Sequence, residues 1–336
     1  MDFSRLLQGD TRLLARAISL IEGRQPGSGE LISRLSEASR KGTATPTHVV
    51  GITGPPGSGK STLADGLTGL WRSQGKRVAV LAVDPNSPFS GGAILGDRVR
   101  MQRHALDRGV FIRSMGARGH LGGVSLATRG AVRLFVALGW EMVLVETVGV
   151  GQSELEICDL ADSVVVVTTP AAGDGVQVIK AGITEIADLF AVNKSDLPGA
   201  DRVVRELRDL VRARRQSGTW RVPVLSTVAV QGTEGMTELA QALERHRQFL
   251  QESGAEAEQS RRRLVDEVVE LVAAKAADQA RRLLADDGGA GATSLSDLAD
   301  PDLIADRLLG RLAESGRKME GTAGRGPRPH EETGDA

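Results

Sequence analysis

The stretch that decides the fold is Gly54-Pro55-Pro56-Gly57-Ser58-Gly59-Lys60-Ser61-Thr62. It stands between an apolar, β-rich run (Val49, Val50, Ile52) and a helical pattern (Leu63, Leu67, Leu70). Glycines let successive backbone N–H groups face one anion, and the following helix adds its positive N-terminal end. Lys60 then reaches the β/γ-phosphates, and the Ser61 hydroxyl is placed for Mg²⁺. In a chain with 41 glycines such a string arises by chance more easily than usual. The strand before it and the helix after it are the context that separates a phosphate-cradling loop from coincidence, so the loop predicts nucleoside triphosphate binding.

Outward from the loop, residues 47–250 alternate short β-rich runs with helical stretches: Val49–Ile52, Val78–Val83, Phe111–Arg113, Met142–Val145, Val164–Val167, Leu189–Val192 and Val222–Leu225. This alternation predicts an α/β fold, a mostly parallel central sheet flanked by helices. Residues 1–46 read as an N-terminal helical extension. Its apolar positions (Leu6, Leu13, Leu14, Ala17, Ile18, Ile21, then Leu31, Ile32, Leu35) fall at helical spacing around a break at Pro26-Gly27-Ser28-Gly29, which predicts a helical hairpin. Residues 251–315 read as a C-terminal helical arm. Its apolar stripe (Leu264, Val265, Val268, Val269, Leu271, Val272) has no core of its own, and packing against a second copy is favoured over docking on the main domain. Asp300-Pro301 has the form of a helix cap with proline in the first turn. Residues 316–336, rich in Gly, Pro and charge, predict a disordered tail.

Composition excludes several function classes. A formal net charge of -1 gives no basic field for nucleic acid. No apolar run approaches the roughly 20 residues that a membrane span needs. The start, Met1-Asp2-Phe3-Ser4-Arg5, lacks the pattern of a signal peptide, and the single Cys158 cannot form an internal disulfide, so the expected location is cytoplasmic. One cysteine and five scattered histidines supply no zinc or nickel cluster, which leaves Mg²⁺ on oxygen ligands as the expected metal.

A nucleotide hydrolase needs carboxylates at strand ends near the phosphate loop, and parallel sheets bind ligands beyond their strand C-termini. Asp84 ends the Val78–Val83 run and Glu146 ends Met142–Val145, so both are expected to face the crevice that holds Lys60. Gly149 is placed to offer a backbone N–H to the γ-phosphate. Asp97, in the Gly-rich segment from Gly91 to Arg98, stays open at this point between a further Mg²⁺ ligand and a solvated loop acid. The base is read from Asn193-Lys194-Ser195-Asp196, directly after a strand. An aspartate accepts from both guanine N1–H and the exocyclic amine, whereas adenine presents no such pair of donors, so the nucleotide is GTP, with GDP as product. After the last strand, Ser226-Thr227-Val228-Ala229 is expected to offer backbone contacts to the guanine ring from Val228 and Ala229.

With these residues in place, the chain resembles the methylmalonyl-CoA mutase-associated GTPases, the MeaB/ArgK/MMAA family of SIMIBI-class P-loop proteins. The resemblance covers roughly residues 5–280. It rests on Gly54–Thr62, on Val83-Asp84-Pro85-Asn86-Ser87 with Gly91–Asp97, on Asn193–Asp196, and above all on the string Val145-Glu146-Thr147-Val148-Gly149-Val150-Gly151-Gln152-Ser153-Glu154. It implies a GTPase chaperone that gates cofactor delivery to an adenosylcobalamin-dependent acyl-CoA mutase and protects or reactivates that enzyme. It also implies a Mg²⁺ environment of Ser61, Asp84, Asp97 and Glu146. The segment from Gly173 to Lys180 resembles the family's partner-responsive switch, which makes Asp174 and Lys180 candidates, beside Lys60 and Glu146, for catalysis. Read from the residues alone, a surface lysine on an amphipathic helix is the favoured reading of Lys180. Where relatives carry Ser-Ala or Ser-Gly, this chain has Val228-Ala229, and the residues after about Leu284 have no counterpart.

Rival readings are a nickel-delivery GTPase, which the lone cysteine disfavours, a transport-linked ATPase or kinase, which the guanine signature disfavours, and a nucleotide-binding scaffold without turnover. The last is kept open because only Gln152 is a nominal candidate to orient the attacking water.

Overall fold

A computed structural model of the chain describes residues 2–23, 25, 27–41, 46–84, 101–116, 126–147, 156–170, 183–213, 220–231, 235–286, 300–306 and 308–310. They divide into two compact units, Met1–Arg263 and Leu264–Ala336.

The first unit is built on seven strands: β1 His48–Thr53, β2 Val78–Asp84, β3 Val110–Gly116, β4 Met142–Thr147, β5 Ser163–Thr168, β6 Leu189–Asn193 and β7 Val224–Thr227. They lie in the order β3-β2-β4-β1-β5-β6-β7, and every pairing is parallel. The strands are short and nearly all apolar because both faces of the sheet are covered, and β1, β4, β5 and β6 are buried at every position. The phosphate-loop strand β1 therefore sits mid-sheet, with Ile52 level with Glu146 of β4 on one side and with Val165 of β5 on the other.

Helices α1 Phe3–Leu7, α2 Thr11–Glu22, α3 Ser28–Lys41, α4 Lys60–Ser73, α5 Leu126–Ala137, α6 Ile183–Ile186, α7 Ala200–Ala213 and α8 Met236–Ser253 complete this unit with the first residues of α9, Ala255–Asp286. One face of the sheet joins a cluster containing Leu6, Leu14, Ile18 and Leu35 from α1–α3, Phe135 from α5 and Leu207 from α7. Within it, Phe135 meets Trp140 edge-on at 5.1 Å and Phe111 at 5.3 Å. The other face packs Leu63, Leu67 and Trp71 of α4 against Leu239 and Leu243 of α8. Leu67 is fully buried there, so Leu67→Ala would cost about 2–5 kcal/mol by leaving a cavity under the phosphate-loop helix.

Three local differences from the sequence reading have simple causes. The N-terminal hairpin carries an extra helix, α1, capped by the Asp2 side chain accepting from Arg5 N–H. Strand β7 begins two residues later than the apolar run Val222–Leu225, because Pro223 has no N–H to give a ladder; its carbonyl accepts from Phe190 N–H at 2.9 Å. Helix α8 stops at Gly254, whose φ of +75° is the left-handed C-terminal conformation, before α9 starts.

In the second unit, the α9 residues Leu264, Val265, Val268, Val269 and Val272 are each 49–62% exposed. Residues 301–306 are helical, with the Asp300 carboxylate accepting from Asp302 N–H at 3.0 Å. Among the described residues no helix is long and apolar enough to cross a membrane.

At the N-terminal edge of the sheet, two of the scattered histidines come together. The Ser163 hydroxyl lies 2.8 Å from His48 Nε2 and 2.7 Å from His246 Nδ1, so it donates to one ring and accepts from the other. His246 Nε2 faces the Asp188 carboxylate at 3.4 Å, and Asp188 also accepts from Val164 N–H. Burial pushes His48 down to about 3, His246 down to about 4 and Asp188 up to about 7. Each group is thereby held toward its uncharged form.

Candidate nucleotide-binding site

The site forms where β1 hands over to α4. Gly54 has φ +138°, and a Cβ there would stand 2.0 Å from the Val167 carbonyl oxygen of β5, so only glycine lets the loop leave the strand this closely. Gly59 has φ +91° and caps α4; a Cβ there would meet Asn193 Nδ2 at 2.2 Å. The loop thus turns over the positive end of a 14-residue helix, the geometry that gathers anions.

Lys60, buried as the first residue of α4, donates from Nζ to the carbonyls of Gly54 at 2.7 Å and Pro55 at 3.1 Å. The cation is therefore held at the loop mouth. Ser61 Oγ donates to Glu146 Oε1 at 2.5 Å, which joins the loop to the end of β4. Beside it Thr147 Oγ1 donates to Thr53 Oγ1 at 3.0 Å, and this ties the ends of β4 and β1. Ser58 is 1% exposed, and its hydroxyl has no hydrogen-bond partner among the described residues. An orphaned hydroxyl within a phosphate loop suits an anionic ligand with acceptor oxygens.

Base recognition is expected at the ends of β6 and β7, and the structure ties these ends to the phosphate loop. Asn193 donates from Nδ2 to the Ser58 carbonyl at 2.8 Å, while its Oδ1 accepts from Ala229 N–H at 3.1 Å and Thr227 Oγ1 at 3.3 Å. Lys194, in the left-handed region at φ +56°, reaches back to the Gly57 carbonyl at 3.0 Å. Ser195 N–H donates to the Thr227 carbonyl at 3.1 Å, and Asp196 follows, exposed, at the rim. The Ala229 N–H, expected to face the guanine ring, is thus engaged by Asn193, and Val228 beside it is buried.

The structure therefore brings together Gly54, Pro55, Pro56, Gly57, Ser58, Gly59, Lys60, Ser61, Thr62, Glu146, Asn193 and Lys194. Asp84 ends β2, two strands from β1 on the same sheet edge; its side chain lies outside the described residues, as do Asp97, Gly149, Gln152, Asp174 and Lys180. Among the described residues no group of three or more His, Cys, Asp or Glu is placed to hold a metal ion. Ser61 and Glu146 nevertheless form an oxygen pair of the kind that a hard divalent cation takes. Sequence reasoning gave Asn193 a role at the base and missed its grip on the phosphate loop. The two lie 135 positions apart, so no local pattern announces the contact.

Comparison with known proteins agrees with this geometry. Residues 14–283 match the family model described as methylmalonyl-CoA mutase-associated GTPase MeaB. A Pyrococcus horikoshii protein named as a GTPase is 45% identical over 314 residues, 91% of this chain and 97% of the relative. The mouse protein named methylmalonic aciduria type A homolog, mitochondrial, is 39% identical over 251 residues, 70% of this chain and 60% of the relative. Among solved structures, one titled LAO/AO transport system kinase superposes with a TM-score of 0.66 at 26% identity, covering 92% of this chain and 96% of the other.

Proposed function

We propose, from the premise that this chain belongs to the methylmalonyl-CoA mutase-associated GTPase family MeaB, that it hydrolyses GTP as a chaperone of an adenosylcobalamin-dependent acyl-CoA mutase. Its task in this reading is to gate cofactor delivery to the mutase and to protect or reactivate it. The observation that carries the proposal is the Asn193 bridge. One side chain holds the Ser58 carbonyl of the phosphate loop and the loop after β7, so phosphate occupancy and base occupancy report to the same rigid group. The family match over residues 14–283 supports the choice of client.

Within this reading Lys60 and the backbone N–H groups of Gly57 and Gly59 bind the phosphates, and Asp196 accepts from guanine. Val228 and Ala229 border the ring. Ser61 and Glu146, with Asp84 and Asp97, would hold Mg²⁺, which would supply positive charge against that of the phosphates. Gly149 donates to the γ-phosphate, and Asp174 and Lys180 stabilise the transferring charge once the partner has bound. The exposed α9 stripe of Leu264, Val265, Val268, Val269 and Val272 pairs two copies into a homodimer. The test is single-turnover GTP hydrolysis with and without methylmalonyl-CoA mutase. Lys180→Ala is expected to keep the basal rate and lose the stimulation; full stimulation would remove Lys180 from the mechanism.

A further inference from the structure

The structure has a second feature that nucleotide chemistry does not use. Between β2 and β3 the chain makes a turn in which Asp107 N–H donates to the His104 carbonyl at 3.1 Å, with Ala105 and Leu106 at its tip. Leu106 is 97% exposed. A lone exposed leucine means little by itself. This one stands on a turn fixed from both sides by α4.

Asp107 makes a two-pronged pair with Arg72, Oδ2 to Nε at 2.8 Å and Oδ1 to Nη2 at 2.9 Å, and also accepts from Gly109 N–H at 2.8 Å. Arg72 holds the Asp107 carboxyl below its ordinary range. On the other side Asp65 of α4 pairs with Arg103 at 2.7 Å and faces His104 Nε2 at 3.3 Å. Planar, two-pronged guanidinium pairs fix geometry as well as charge. The turn is thus pre-organised, and it is mounted on the helix that begins at Lys60.

Beside this turn lies an open groove of about 800 Å³, bounded by α2, by the turn and by β3, the edge strand of the sheet. Its charge is one-sided. Asp107 is committed to Arg72, and Arg113 is committed to Glu22, the Ala15 carbonyl and Ser19. Arg12 and Arg108, both exposed on the lining, have no carboxylate partner among the described residues. The groove therefore offers two guanidinium groups uncommitted among the described residues, the Thr11 hydroxyl, and an apolar side chain on a rigid mount.

We infer that this groove is a docking surface for an acidic segment of a partner protein, with carboxylates on Arg12 and Arg108 and a large apolar side chain packed on Leu106. A basic rim with a pre-organised apolar anchor is what such a segment needs: the charges steer and orient it, and little ordering entropy is lost. The inference does not depend on which enzyme is the client in the proposed function.

The test uses the full chain and a fluorescein-labelled peptide of alternating glutamate and leucine, followed by polarisation, with a lysine and leucine peptide as control. Wild type is expected to bind the acidic peptide saturably and the basic one not at all. Leu106→Asp, and separately Arg12→Glu with Arg108→Glu, are each expected to weaken binding at least roughly 10-fold, as is 0.5 M NaCl for the wild type. Unchanged GTP affinity and thermal unfolding in the variants show that they are folded. Hydrogen exchange on the complex is expected to slow amides within 101–116. No saturable binding by wild type, equal binding of the basic peptide, or binding that survives both sets of substitutions overturns the proposal.

Discussion

Replacing Asn193 by alanine tests the coupling at the heart of the site. The substitution deletes three bonds: Nδ2 to the Ser58 carbonyl at 2.8 Å, Ala229 N–H to Oδ1 at 3.1 Å and Thr227 Oγ1 to Oδ1 at 3.3 Å. The Thr227 hydroxyl can rotate and loses little. The Ser58 carbonyl and the Ala229 N–H are fixed main-chain groups of residues only 1% and 7% exposed, and each unmet group costs about 1–3 kcal/mol. The expected loss is therefore about 2–6 kcal/mol, a large share of the roughly 5–15 kcal/mol that holds a domain folded. Asn193→Asp keeps the acceptor and removes the donor, so it should lie between. Urea unfolding without nucleotide reads stability, and a fluorescent GTP analogue reads affinity, expected to fall at least ~10-fold because the phosphate loop loses its tether. A loss below about 1 kcal/mol together with wild-type affinity would refute the bridge as the link between loop and base.

Other consequences follow from the same structure. In the proposed site Asp196→Asn leaves one oxygen to accept from guanine N1–H but turns the other, which would accept from the exocyclic amine, into a donor, so GTP affinity should fall by about 100-fold and xanthosine triphosphate binding should appear; retained GTP preference would refute the assignment. The polar chain at the other sheet edge gives a pH signature. His48 and His246, lowered from 6.5 to about 3 and about 4, leave the unfolded chain binding two more protons below pH 6.5, while Asp188, raised from 3.8 to about 7, gives the folded chain one more. The imidazoles' stability is present above pH 6.5 and lost as pH falls; Asp188 opposes it, losing stability as pH rises toward 7. The net loss between pH 6.5 and 4 is about 1.4 kcal/mol per pH unit from this cluster. His246→Gln should nearly flatten that slope in urea unfolding series, and an unchanged slope would contradict the buried neutral rings. Val268→Asp with Val272→Asp should convert a dimer to a monomer in light scattering, with little effect on GTP affinity, since both side chains are about half exposed in the single chain; a dimer that persists would move the interface elsewhere.

Much of the fold was legible because β1, β4, β5 and β6 are short apolar runs buried at every position, a pattern that survives without any partner in view. The limits of β7 were misplaced where Pro223 breaks the ladder, a backbone effect that apolar counting does not weigh. The phosphate loop was legible because its requirements are local: Gly54 and Gly59 answer to positive φ, and Lys60 to position one of a helix. What could not be read is what distant segments do to one another. The grip of Asn193 on Ser58 and the line from His48 through Ser163 to His246 each join positions more than 80 residues apart. Neither leaves a spacing signal in the sequence.

The most direct test of the account measures single-turnover GTP hydrolysis by the full-length protein as purified methylmalonyl-CoA mutase from the same source is added. The account predicts a saturable rise in rate with mutase and none with an unrelated protein, lost in Lys180→Ala. Hydrolysis indifferent to the mutase at every concentration, with no complex formed in the presence of a non-hydrolysable GTP analogue, would contradict it.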